Sequence, residues 1–94
     1  RMTPLQLTYD DLRVGMRVLV MEDEDYVSAE CSKPAPNASK SVHFAEGMRG
    51  ALGVEFEISK VQPGTQSALL STRGLQGMVT HYAFPFTTLL RASS

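Results

Sequence analysis

The stretch Gly77-Met78-Val79-Thr80-His81-Tyr82-Ala83-Phe84-Pro85-Phe86-Thr87-Thr88-Leu89-Leu90 limits the fold more than any other part of the chain. It reads as one strand that runs into a proline stop, turns, and ends on an apolar pair. Side chains alternate faces along a strand, so Val79, His81 and Ala83 point one way and Met78, Thr80, Tyr82 and Phe84 the other. Pro85 has no N–H to give to a ladder, so the strand ends there. A strand of this kind needs partners, and the residues before it supply them in short pieces.

Residues 16–21 form the first piece, with Met16, Val18 and Val20 on one face and Arg17, Leu19 and Met21 on the other. Asp10, Asp11, Leu12 and Val14 lead into it through a tight turn, in which Gly15 supplies a permissive backbone. Residues 1–8 show no period; Leu5 and Leu7 add an edge strand or lie over the core. Glu22, Asp23, Glu24 and Asp25 follow the first strand and repel one another. They belong on a solvated loop or in the first turn of a helix, where acids suit the dipole. Val27 and Cys31 stand four apart, so one helical turn buries both. The run SKPAPNASK over residues 32–40 has two prolines and no large apolar side chain, and is the least structured part. Phe44, Met48 and Leu52 then recur every fourth residue. They predict a short, imperfect helix over 41–52, capped by Ser41, weakened by Gly47 and Gly50, and ended at Gly53. Residues 54–61 carry the strongest strand signal: Val54, Phe56 and Ile58 alternate with Glu55, Glu57 and Ser59. Pro63-Gly64 makes a turn, residues 68–70 a third strand, and residues 73–77 a glycine-rich loop into the closing strand.

The 94 residues make one domain, and the hydrophobic fraction of 43% is that of an ordinary globule. So few short strands cover a core only if the sheet curls on itself. The expected fold is mainly β: a small half-open barrel of four to five strands, with a short helical insertion and a terminal 3₁₀ turn. Residues 1–11 are an extension or edge strand, residues 12–91 the barrel, and residues 22–53 the insertion. The closing strand is expected to pair with the first one, over 14–21. Arg1 before Met2 reads as a remnant or as an excised piece of a longer chain.

Val14-Gly15-Met16-Arg17-Val18 at the start and Phe84-Pro85-Phe86-Thr87-Thr88-Leu89 at the end resemble the bounds of SH3-like barrels. The order Cys31, Phe44, Met48, Leu52-Gly53 is similar to that in the SH3-like repeats of the mind bomb ubiquitin ligases. That resemblance covers residues 12–90 and implies an SH3-like barrel that binds protein or peptide within a larger protein. It does not imply ligase activity, because a RING-type cysteine set is missing. The repeats usually have tryptophan where Phe44 stands. The A-L-Y-D-Y stretch and tryptophan pair by which signalling SH3 domains hold proline-rich ligands are also missing, so that specificity does not carry over.

Catalysis finds little to work with. His43 and His81 are the strong base candidates, and neither adjoins a nucleophile motif. Gly74 and Gly77 lack the lysine and the strand–helix context of a phosphate loop. A zinc site would need scattered Cys31, His43 and His81 plus a carboxylate, without paired spacing. The expectation is therefore no enzyme, no metal and no cofactor. A single cysteine forms no intrachain disulfide and suits a reducing, intracellular setting. Neither a leader-like N-terminus nor an apolar run of 18 residues is present, so no membrane role is expected.

Binding is what remains. Residues 1–57 carry six basic and ten acidic side chains (−4), whereas residues 58–94 carry Lys60, Arg73 and Arg91 and no acid (+3). The loop after the first strand and the turn before the last strand of an SH3-like barrel flank one groove. That geometry would bring Glu22, Asp23, Glu24, Asp25 and Tyr26 towards His81, Tyr82 and Phe86, an acidic-aromatic groove for a peptide with basic residues. One alternative is a structural or self-associating domain of a scaffold or cytoskeletal protein. Another is a Tudor- or KOW-like binder of chromatin or RNA, for which basic side chains are few.

Overall fold

The computed structural model describes residues 6–73 and 79–92. The expectations on Arg1, Met2, Leu5, Met78 and the glycine loop at 74–77 fall outside the described residues, as do the facing of Val79 and Thr80 and the side chain of Arg73. Strands β1 (Arg17–Val20), β2 (Glu55–Gln62), β3 (Ser67–Arg73), β4 (Val79–Pro85) and β5 (Leu89–Arg91) form one antiparallel sheet in the order β4-β3-β2-β1-β5. The first four strands make a meander, and β5 returns to lie beside β1. Helix α1 (Glu24–Ser32) and a 3₁₀ turn (Glu46–Ala51) fill the insertion between β1 and β2. A further 3₁₀ turn, Phe86–Thr88, joins β4 to β5. The edge strands β4 and β5 do not pair with each other, so the mainly β sheet is not closed, as in a small half-open barrel.

Local chemistry explains the path. Gly15 adopts φ 90°, a conformation open to glycine, and its N–H reaches the Ile58 carbonyl at 2.8 Å. In β1, Val18 and Val20 are fully buried while Arg17 stays outside. Opposite lie Phe56 and Ile58 of β2, with Glu55 and Glu57 outside. A register shift between Ile58 and Lys60 bends β2, so that the strand serves β1 with its first half and β3 along most of its length. Asp23 caps α1, accepting a hydrogen bond from the Tyr26 N–H at 3.1 Å. Val27 and Cys31 of that helix are both fully buried, one turn apart. They join Val20, Ile58, Leu70, Phe84 and Leu89 in one core, which Leu7 and Leu12 close from the N-terminal side. Gln6 bridges to Leu90, so the described part of the extension lies along β5.

Two expectations are corrected. The strand before Pro85 does not pair with the first strand: β4 pairs with β3 from Arg73↔Val79 to Ser67↔Pro85. Consecutive strands favour each other because their connection is short. Only β5, beyond the proline stop, reaches β1, through Val20↔Leu89 and Leu19↔Leu90. The helix expected over 41–52 is instead the 3₁₀ turn Glu46–Ala51, and Ala45 rather than Ser41 stands at its cap position. Gly47 and Gly50 deprive a full α-helix of its propensity there. The regular α-helix lies earlier, where the acidic run starts it. No helix among the described residues is long and apolar enough to cross a membrane.

Candidate functional site

Helix α1 packs on the Phe86–Thr88 turn and on β4. Hydrogen bonds hold that turn: the Thr88 hydroxyl donates to the Pro85 carbonyl at 2.8 Å, Met21 N–H to the Thr88 carbonyl at 3.0 Å, Phe86 N–H to the Gln66 carbonyl at 3.0 Å, and Leu89 N–H to the Phe86 carbonyl. Tyr26, 39% exposed on the first turn of α1, donates its hydroxyl to the Thr87 carbonyl at 3.3 Å. Tyr26 and Phe86, 60 positions apart, thereby line one cleft of about 120 Å³ together with Gln6, Leu7, Thr87 and Leu89. Thr87 Oγ1 is buried there and has no hydrogen-bond partner of acceptable geometry among the described residues. Burial pushes the Glu30 carboxyl up, but Lys33 at 3.0 Å and the nearby Thr87 hydroxyl pull it down by more, so its pKa lies below the usual value.

The other expected site residues disperse. Glu22 lies against Gly53, where an added Cβ would come within 2.9 Å of its Cγ. Asp23 is committed to the helix cap, and Glu24 pairs with Arg49 at 3.0 Å. Asp25 is exposed and makes no ion pair among the described residues. Tyr82 is half-buried against the core and extends to Gly47, whose missing side chain leaves room for the tyrosine hydroxyl. It therefore ties β4 to the insertion and does not line the Tyr26–Phe86 cleft. His81 stands exposed on the opposite face of β4, in a cross-strand row with Ser71 and Glu57, away from that cleft.

A wider cleft, of about 460 Å³, opens between the insertion and the β2–β3 turn. It is lined by Lys40, Ser41, Val42, Lys60, Val61, Gln62, Pro63, Gly64, Thr65 and Ala83. Sequence reasoning did not find it, because 32–40 reads as loop and nothing in the pattern places that loop over the end of β2. Among the described residues no three His, Cys, Asp or Glu side chains converge as a metal site. Cys31 is buried, and desolvation together with the neighbouring Glu30 charge pushes its thiol up to about 12. The thiol is therefore neutral and not a nucleophile.

The geometry is that of a small five-stranded antiparallel sheet with an aromatic cleft beside its last 3₁₀ turn. No protein-family model, curated protein or solved structure matches the chain.

Proposed function

We propose that the chain is a non-catalytic protein-interaction module that takes an extended peptide in the cleft between α1 and the Phe86–Thr88 turn. The observation that carries this reading is the convergence of Tyr26 and Phe86 from distant elements on one partly open cleft. An aromatic pair with one polar tip gives apolar contact at small entropic cost, as in many peptide sites. Acids cluster on the same helix turn as Tyr26, with Asp25 free of ion pairs among the described residues, and they favour Lys or Arg in the ligand. So small a cleft suits a transient interaction, with a Kd in roughly the micromolar range or weaker.

The likeness to the mind bomb repeats remains part of this proposal. Its support is that Cys31 and Met48 are buried in one core, with Phe44 and Leu52 packed against it. That arrangement gives the shared order of residues a packing reason. A lone buried thiol is consistent with a reducing, intracellular setting. The test is selection from a random peptide library on the immobilised domain, repeated with Tyr26→Ala and Phe86→Ala. Enrichment of Lys- or Arg-containing peptides by the wild type, lost in both variants, is expected. Equal enrichment by all three proteins would sink the assignment.

A further inference from the structure

We propose that the wider cleft is a second binding site, of opposite sign, for an acidic peptide segment with aliphatic side chains. The first observation is a census of cations. Arg17, Lys33, Arg49 and Arg91 each face a carboxylate, and Arg13 donates to the carbonyls of Asp10 and Leu12. Lys40 and Lys60 make no ion pair among the described residues, and both line this one cleft. A carboxylate entering the cleft would therefore meet cations that no acidic side chain among the described residues already occupies.

The second observation is how they come together. Ser39 donates its N–H and its hydroxyl to the Gly64 carbonyl, at 2.9 and 3.0 Å, which pins the loop carrying Lys40 to the β2–β3 turn. The register shift after Ile58 sets Lys60 opposite Leu69, which in turn pairs with Ala83. Lys60 and Ala83 therefore share one face of the sheet, and both line the cleft.

The lining decides the ligand class. Val42, Val61 and Ala83 line the same cleft as the two lysines and give it an aliphatic part. No aromatic side chain lines the cleft, so bases would find nothing to stack on, and two cations track a phosphate backbone poorly. The volume of about 460 Å³ lies inside the span of roughly 300–1,000 Å³ usual for ligand pockets. A segment that alternates Glu or Asp with Val or Ile meets both features. The site is independent of the Tyr26–Phe86 cleft and shares no lining residue with it.

The experiment is an amide chemical-shift titration of the whole chain with an acetylated, amidated peptide alternating valine and glutamate. Its glutamine counterpart, inorganic phosphate and a single-stranded oligothymidylate serve as the other arms. The glutamate peptide is expected to shift residues 40–42, 60–65 and 83, and to weaken as salt is added. The Lys40→Gln/Lys60→Gln variant should bind it about tenfold more weakly, and Lys40→Arg/Lys60→Arg should retain it. Equal binding of the glutamine peptide, shifts confined to other residues, tighter binding of phosphate or oligothymidylate, or no shift at millimolar peptide would each overturn the proposal. Both lysines are exposed, so the variants should unfold at the wild-type temperature; the salt dependence and the peptide comparison test the wild type alone.

Discussion

Phe84→Ala tests the core on which every cleft depends. Phe84 lies on β4 just before the proline stop, is 0% exposed, and faces Ala68 of β3, also 0% exposed. A small residue opposite a large one leaves no neighbour able to fill the gap. Removing the ring costs its transfer free energy plus a cavity term, together about 3–5 kcal/mol. A domain of this size has roughly 5–14 kcal/mol to lose. With a urea m-value of about 1.5 kcal/mol/M, the midpoint should fall by roughly 2–3 M with m unchanged. Urea unfolding followed by far-UV circular dichroism measures this. Phe84→Leu should cost only about 1 kcal/mol and serves as the milder variant if the alanine does not fold. A loss below about 1 kcal/mol for the alanine would show that Phe84 is not packed as described.

Further consequences follow from single contacts. Thr87→Val removes the buried hydroxyl that helps hold the Glu30 carboxyl low, so the Glu30 pKa should rise in an NMR pH titration; an unchanged value would contradict the contact. Asp23→Ala should cost about 1 kcal/mol through loss of the α1 cap, and Asp23→Asn much less. Gly53→Ala should cost about 1 kcal/mol or more, since residue 53 sits at φ 74° with Glu22 against it; an unchanged midpoint would contradict this. The Cys31 thiol, pushed up to about 12, should resist an aromatic disulfide reagent at pH 8 in the native protein and react once urea unfolds it. Asp11, held down chiefly by the Thr8 backbone N–H and hydroxyl, and Glu30 have folded pKa values below their ordinary 3.8 and 4.5. Their contribution is present above those values and lost as pH falls through the lowered ones, so Asp11→Asn/Glu30→Gln should flatten the acid limb of stability against pH.

The shared buried face of Val18 and Val20, that of Phe56 and Ile58, and the stop at Pro85 were legible because period and proline act locally. The Val27–Cys31 turn was legible for the same reason. Strand pairing was not: nothing within residues 77–90 says that its two halves serve different neighbours. The stretch over 41–52 misled because a fourth-residue apolar row does not outweigh two glycines. Of the candidate site, Tyr26 and Phe86 came from the general geometry of such barrels. Tyr82 was misplaced because its destination depends on the space above Gly47, a contact across 35 positions that no pattern records. Lys40 and Lys60 escaped notice because charge counts do not say which cations have already found partners.

The proposed function places a peptide in the aromatic cleft beside the Phe86–Thr88 turn. Its most direct measurement is an amide chemical-shift map of the chain with a library-selected basic peptide, beside the same map for Tyr26→Ala. Shifts are expected to concentrate at residues 6–7, 25–27 and 86–89 in the wild type and to be lost in the variant. Shifts elsewhere, or an unchanged map in Tyr26→Ala, would contradict it.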